Sequence, residues 1–307
     1  MGELFECSFN SGDHPMTRDE LLAAMQNCDV LVPTVTDSID AAVIVAAPAS
    51  LKLIANFGAG VNHIDLAAAK AKGIIVTNTP GVFTDDTADL TMALILNVPR
   101  RLGEGHRMMR SGEWQGWSPT GMLGHRVGDK VLGIVGFGRI GEAVAVRARA
   151  FGMNILYNKR HRLPASIEEE LGIVFEPDLD RLVAKSDIVT LHCPLTPETD
   201  RLMNRARIAL MKPDAYLINS SRGELVDEDA LIEALTRGKI AGAGLDVYTH
   251  EPAVDSRFLA IPNVVLLPHL GSATYEGREA SGEKVIANIR IFADGHRPPD
   301  QVIEGWA

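Results

Sequence analysis

Gly136, Gly138 and Gly141 stand in the spacing G-x-G-x-x-G within VLGIVGFGRIGEAVAVRARAFG, with a β-branched run before them and an apolar-periodic segment after. The spacing alone arises by chance; between a strand and a helix it becomes a specific signal for a dinucleotide. The first glycine permits the tight turn, the second lets backbone N–H groups approach a pyrophosphate, and the third lets helix and strand pack closely. The positive end of the helix then faces the phosphates. Gly136, Gly138, Arg139, Ile140 and Gly141 are therefore the first candidate cofactor contacts. An ordinary glycine-rich βα turn is the plainer reading, and the flanking pattern weighs against it.

About 20 residues beyond such a turn, a dinucleotide site normally carries a carboxylate for the ribose hydroxyls. The stretch ILYNKRHR instead offers Asn158, Lys159, Arg160, His161 and Arg162. A carboxylate would repel a 2′-phosphate, whereas guanidinium groups bind one through paired hydrogen bonds. Asn158, Lys159 and Arg160 read as a 2′-phosphate clamp, Arg160 foremost, and the cofactor as NADP(H), with NAD as the alternative. A solvated basic loop without a ligand is the competing explanation.

In open parallel sheets, ligands bind beyond the carboxyl ends of the strands. Just past the strand candidates stand Ser220, Ser221 and Arg222 in AYLINSSRG, and Asp246 then Glu251 in AGAGLDVYTHEP. NVVLLPHLGS adds His269, and DIVTLHCPLT adds His192, Cys193 and Pro194. Singly, each has a duller explanation: a locally paired arginine, a satisfied core histidine, a glutamate in plain loop. Together, beside a nicotinamide, they suit reduction of a 2-keto acid. Hydride addition to a ketone makes an alkoxide, so an acid must supply a proton near neutral pH, and imidazole suits this best. A carboxylate beside that imidazole favours its protonated form. The substrate carboxylate and carbonyl need a fixed cation with planar donors. These roles go to His269 as acid, Glu251 as its partner and Arg222 as anchor, with Ser220 and Cys193 joining the cofactor contacts.

Such residues need a scaffold, and short apolar runs alternating with longer amphipathic ones predict βα units around parallel sheets. Early strand candidates are Val30–Val32, Leu53–Ala55 and Ile74–Val76, followed by a helix from Thr84 to Leu102. A Trp-containing arm, SGEWQGWSPTGMLGHRVGDK, comes next. A second series then offers strands at Val131–Val135, Asn154–Tyr157, Asp187–Leu191, Ala215–Ile218, Ala243–Val247 and Asn263–Leu267. A helical pattern closes the chain after Gly271, and by pattern alone it could return to either part.

At 307 residues the chain is long enough for two domains. A composition of 46% apolar and 23% charged residues is that of a soluble globular protein. The net charge of −10 argues against a nucleic-acid surface. Cys7, Cys28 and Cys193 form no CxxC pair, so neither a disulfide framework nor a metal site is indicated, and a reducing cytoplasm is expected. No export signal is visible, and the apolar stretch AAVIVAAPASLKLIANFGAG is broken by Pro48 and Lys52, which argues against a membrane span.

LKLIANFGAGVNHIDLAAAKAKGIIVTNTPGVFTDDTADLTMALIL, VLGIVGFGRIG, LINSSRGELVDEDALIEAL, AGLDVYTHEP and NVVLLPHLGSAT together resemble the D-2-hydroxyacid dehydrogenases. NFGAGVNHID and NKR most resemble the glyoxylate/hydroxypyruvate reductase branch. The likeness runs from about Met16 to the C-terminus. It implies two Rossmann-like domains, a flavodoxin-like substrate domain at 1–81 and 272–307 and a dinucleotide-binding domain at 82–271, with substrate in the cleft between them. That family's catalytic Arg-Glu-His set maps onto Arg222, Glu251 and His269. The resemblance further implies that Ala59 and Gly60 give N–H groups to the substrate carboxylate, that Asp246 holds the nicotinamide amide, and that Thr87 and Pro194 touch the cofactor. It also implies that the Trp114–Trp117 arm wraps a second subunit of a homodimer; burial of these tryptophans against their own chain is the alternative.

One departure is that family members begin with a strand and helix of roughly 20 to 25 residues ahead of the segment matching LFECSFN. Their absence leaves sheet edges exposed and predicts either a truncated chain or a natural start other than Met1. Rival functions are phosphoglycerate oxidation and, in another class, a nicotinamide-sensing transcriptional corepressor. Formate oxidation is disfavoured, because formate dehydrogenases carry Gln where Glu251 stands.

Overall fold

The computed structural model describes residues 2–302 apart from Ser11 and Asp13; residue 1 and residues 303–307 of the expected substrate domain lie outside it. The chain divides into two units, Met1–Phe83 with Thr274–Ala307, and Thr84–Ala273.

The first unit begins with α1 (Arg18–Met25), started by a capping box in which Thr17 accepts from the Glu20 N–H and Glu20 accepts from the Thr17 N–H. β1 (Val30–Leu31), α2 (Ala41–Ala46), β2 (Leu53–Ala55), α3 (Leu66–Ala71) and β3 (Ile75–Thr77) come after it. Asp40 and Asp65 cap α2 and α3 with their side chains. The three strands are parallel in the order β1-β2-β3. β3 starts at Ile75 rather than Ile74 because the Ile74 N–H bonds to Ala69 O and finishes the end of α3. The outer edge of β3 is covered where Thr77 bridges Gln301 antiparallel and the Val302 N–H bonds to Val76 O.

The second unit opens with α4 (Thr84–Arg100), whose first turn carries Asp85 and Asp86 and whose last carries Arg100, matching the helix dipole. The helix expected to reach Leu102 is in fact two. Pro99 lacks an N–H and Arg101 adopts φ 55, which ends α4, and α5 (Leu102–Ser111) begins at once. Gly103 and Gly105 lower helix propensity there, which hid α5 from the pattern.

Then come β4 (Val131–Val135), α6 (Arg139–Ala150), β5 (Asn154–Asn158), α7 (Ala165–Leu171), β6 (Ile173–Phe175), α8 (Leu179–Lys185) and β7 (Ile188–Leu191). α9 (Arg205–Ile208), β8 (Tyr216–Asn219), α10 (Glu228–Thr236), β9 (Gly242–Leu245), α11 (Ser256–Leu259) and β10 (Val264–Leu266) complete it. The closing helix, α12 (Tyr275–Ala293), belongs to the first unit, where Val285 and Ile289 pack on Leu53 and Ala55 of β2. β6 is not among the expected strands; at three residues its alternation is too short to stand out.

All seven strands are parallel, in the order β10-β9-β8-β7-β4-β5-β6. The order reverses direction between β4 and β7, the switch point at which a parallel sheet opens a crevice. Alternate residues feed separate cores on the two faces. On β8, Leu217 joins Val189 and Leu231 on one side, while Tyr216 and Ile218 join Ile134 and Ile95 on the other. Each fully buried leucine contributes about 1.5–3 kcal/mol, which makes this sheet a rigid frame for the loops at its ends. Among the described residues, no helix is long and apolar enough to cross a membrane and no His, Cys, Asp and Glu cluster could hold a metal.

Candidate active site

β4 ends at Val135 and the chain turns through Gly136 at φ 88, a conformation open mainly to glycine. A Cβ there would collide with the Cys193 backbone, so the loops after β4 and β7 lie against each other at the switch point. Gly141 answers a second steric demand, since its Cβ would stand 2.5 Å from Gly136 O. Gly138 is different in kind. Among the described residues, nothing lies within 4 Å of where its Cβ would be, and its φ of −96 suits any residue. The protein's own packing does not require glycine there; close approach of a ligand would. No side chain caps α6, and its first helical bond runs from Glu142 N–H to Gly138 O. The N–H groups of Arg139, Ile140 and Gly141 are left at a positive helix end, which fits a pyrophosphate.

At the end of β5, the Asn158 amide donates to Glu176 O at 2.9 Å and Pro177 O at 3.1 Å, so its donor is committed to the chain itself. Lys159 is half-buried and Arg160 exposed, and neither is in an ion pair among the described residues. Glu198, held below the usual carboxylate range chiefly by Thr196, also feels the Arg160 charge. Arg162 is paired within the chain: its Nε and Nη2 donate to the two Glu168 oxygens at 2.9 and 2.7 Å.

The loops after β8, β9 and β10 carry the proton-transfer candidates. Asp246, buried at the end of β9, accepts the Leu270 N–H at 2.7 Å and the Gly271 N–H at 2.8 Å, while its carbonyl accepts the His269 N–H at 2.9 Å. Burial pushes its carboxyl above the ordinary value, against the pull of those two N–H groups. These bonds hold His269 at φ 55, left-handed backbone for a residue with a Cβ. The structure thus occupies both Asp246 oxygens with the His269 loop, a contact the expected nicotinamide role did not foresee.

His269 Nδ1 lies 2.6 Å from Glu251 Oε2, and Glu251 Oε1 accepts the Tyr248 N–H at 3.0 Å. Burial raises the Glu251 carboxyl, but the bonds from His269 and Tyr248 and the Arg222 charge outweigh it, so the net shift is downward and Glu251 is ionised. An ionised carboxylate only accepts, so Nδ1 carries a proton and Nε2 is the outward nitrogen. Arg222 sits on the next loop, its Nη1 donating to Ser221 O at 2.6 Å and its carbonyl accepting from Asn219 at 2.8 Å. Burial lowers the pKa of its guanidinium from the usual high value, while Glu224 and Glu251 oppose the change. Gly223 brings the two loops together, since a Cβ there would collide with the Tyr248–Thr249 peptide.

The remaining candidates are mostly tied into the frame. Thr87 is buried and donates to Gly271 O at 2.9 Å; Ser220 shares a 2.7 Å bond with Thr91, which also donates to Thr87 O at 2.7 Å. Pro194 O accepts from Thr199 at 2.7 Å. Burial pushes the Cys193 thiol up to about 11, so it is no nucleophile. His192 keeps some exposed surface, yet burial of its ring pushes it down to about 3, and Nε2 lies 2.9 Å from Thr190 Oγ1. A neutral imidazole cannot serve as the acid, so His192 leaves the candidate set.

In the first unit, Ala59 and Gly60 form the turn after β2. The Asn78 amide takes Ala59 O at 2.7 Å and the Asn56 amide takes Gly60 O at 2.9 Å, which orients the turn. Asn56 and Asn78 were missed; Asn followed by a strand exit is too common a pattern to single them out. Trp114 and Trp117 are 53% and 84% exposed, so burial against their own chain is ruled out.

Residues 92–271 match the family model described as D-isomer specific 2-hydroxyacid dehydrogenase, NAD binding domain. A glyoxylate reductase of Thermococcus onnurineus is 46% identical over 304 residues, 98% of this chain and 90% of that protein. Among solved structures, a glyoxylate reductase from Paecilomyes thermophila has a TM-score of 0.85 at 36% identity, covering 94% of this chain and 89% of the other. An NADPH-dependent glyoxylate/hydroxypyruvate reductase from Sinorhizobium meliloti has a TM-score of 0.83 at 34% identity, covering 94% of this chain and 89% of that one.

Proposed function

The chain belongs to the D-isomer specific 2-hydroxyacid dehydrogenases, NAD(P)-dependent oxidoreductases, and from that premise we propose that it reduces glyoxylate and hydroxypyruvate to the 2-hydroxy acids with NADPH. The observation that carries the reading is the 2.6 Å contact of His269 with Glu251, with Arg222 on the neighbouring loop, at the sheet edge that bears the glycine turn.

Bound nicotinamide supplies a hydride to the keto carbon. Arg222 pairs with the substrate carboxylate and carbonyl oxygen and draws negative charge toward that oxygen. His269 delivers its Nε2 proton as the charge develops, worth about 10²–10⁴ in rate for a positioned acid. Glu251 fixes the ring through Nδ1 and balances the imidazolium, and solvent then reprotonates Nε2. We assign the N–H groups of Ala59 and Gly60 to the substrate carboxylate. The glycine turn with Arg139 and Ile140 would hold the pyrophosphate, and Asn158, Lys159 and Arg160 the ribose end. Asp246, Thr87, Ser220, Cys193 and Pro194 would line the nicotinamide side. NADPH is favoured over NADH because β5 runs directly into Lys159 and Arg160, which are in no ion pair among the described residues, rather than into a carboxylate; the Sinorhizobium meliloti neighbour is itself described as NADPH-dependent. The exposed Trp114 and Trp117 support pairing with a second copy, and the free Cys7, Cys28 and Cys193 suit the cytoplasm.

The test monitors loss of reduced-nicotinamide absorbance with glyoxylate, hydroxypyruvate and pyruvate, each with NADPH and NADH, for wild type and His269→Asn. Turnover with NADPH and a loss of about 10²–10⁴ in the variant are expected. A higher kcat/KM with NADH would overturn the cofactor half. No turnover of any of the three acids would overturn the whole reading.

A further inference from the structure

The basic loop after β5 is pinned at both ends, and among the described residues its Lys159 and Arg160 make no hydrogen bond or ion pair. At its start, the Asn158 amide ties the strand exit to Glu176 O and Pro177 O. At its end, the Leu163 N–H donates to the Tyr157 hydroxyl at 3.0 Å, and that hydroxyl donates to Glu168 Oε1 at 2.6 Å. The same carboxylate receives Arg162 through Nε at 2.9 Å and Nη2 at 2.7 Å. Arg162 also lies over the Phe175 ring at 5.9 Å, and Phe175 packs beside Tyr157 with ring centroids 5.2 Å apart. Tyr157 is fully buried and Glu168 nearly so.

A buried carboxylate is costly unless paired, and here one carboxylate collects a phenol, a guanidinium and, through the phenol, the loop backbone. Arg162 and Tyr157 hold Glu168 down to about 2, so it is ionised throughout the range in which proteins work. Arg162 thereby commits its Nε and Nη2 edge to Glu168, whereas Lys159 and Arg160 make no hydrogen bond or ion pair among the described residues.

We propose that Tyr157, Glu168 and Arg162 are a strut that presets the loop so that Lys159 and Arg160 meet the adenosine 2′-phosphate, making all three positioning residues for cofactor choice. The inference rests on the NADPH reading above. Its physical content is preorganisation: without the strut, the phosphate must order the loop itself, and that ordering subtracts from its affinity. A cofactor lacking the 2′-phosphate does not use the loop and is indifferent to the strut.

The probes are adenosine 2′,5′-bisphosphate and adenosine 5′-monophosphate, titrated by calorimetry into the full chain as wild type, Glu168→Gln and Tyr157→Phe. Each variant is expected to bind the bisphosphate about tenfold more weakly, the loss from immobilising one flexible side chain, with the monophosphate unchanged. Tyr157→Phe keeps the ring in the core and removes only the hydroxyl, so it stands if Glu168→Gln fails to fold. A purely structural network would lower thermal stability and leave the ratio of the two affinities as it is, which overturns the proposal. Tighter bisphosphate binding by Glu168→Gln also overturns it, because a freed Arg162 would then be a phosphate ligand. A wild type that does not prefer the bisphosphate overturns the NADPH reading and the strut together; an undiminished preference in both variants overturns the strut alone.

Discussion

Protonating a growing alkoxide requires an imidazole held in one orientation with its outward nitrogen protonated as hydride arrives, and a carboxylate bonded to the other ring nitrogen fixes that orientation. The ionised Glu251, 2.6 Å from His269 Nδ1, is placed to do this. Glu251→Gln keeps the hydrogen bond and removes the charge. The kcat for glyoxylate reduction is then expected to fall with KM for NADPH unchanged; an unchanged kcat would show that Glu251 does not influence the acid. These residues were legible because each lies past the end of a strand, and ligands gather where parallel strands end. Their supports were not. Nothing in LDVYTHEP tells that Asp246 receives the Leu270 and Gly271 N–H groups, because that contact depends on β9 and β10 being neighbours. His192 also follows a strand, and burial sets its neutral ring apart from His269, which faces a carboxylate.

Loops of neighbouring strands must also approach closely enough for an arginine and a histidine to act on one molecule. Gly223 permits that approach, lying directly under the Tyr248–Thr249 peptide. Gly223→Ala is expected to cost about 1–3 kcal/mol by overpacking and to lower kcat beyond what lost stability explains, because Tyr248 also donates its N–H to Glu251. Thermal melting and steady-state rates on the same sample separate the two effects, and unchanged kcat with unchanged melting would refute the close approach. At this scale the parallel strands with long apolar runs were readable and the short or weakly patterned elements were not. β4 runs over five buried or half-buried residues and stood out, whereas β6 is recognisable only by its pairing with β5. α5 was lost between glycines, and the division at Arg101 reflects a left-handed residue that an arginine codon does not announce.

For the molecule as a whole, Glu168 of α7, which anchors the β5 loop, sets part of the acid response. Glu168 titrates near 2 when folded against an ordinary 4.5. The unfolded chain therefore binds this proton first, so its stabilising contribution is complete above pH 4.5 and is lost as pH falls toward 2. Melting temperature is expected to drop across that window more steeply in wild type than in Glu168→Gln, and parallel curves would contradict the assignment. The two-unit plan was visible in the rhythm of the chain, but the route of α12 was not, because an amphipathic helix does not say which sheet it will cover; the pairing of Val285 and Ile289 with β2 decides it. Gly138 carries a last consequence. Among the described residues nothing occupies the space where its methyl group would stand, so Gly138→Ala should melt like wild type while losing the dinucleotide. Selection for a sturdy fold cannot guard such a position: a lineage could drift there into a well-folded, inert descendant, and only a screen for coenzyme occupancy would notice.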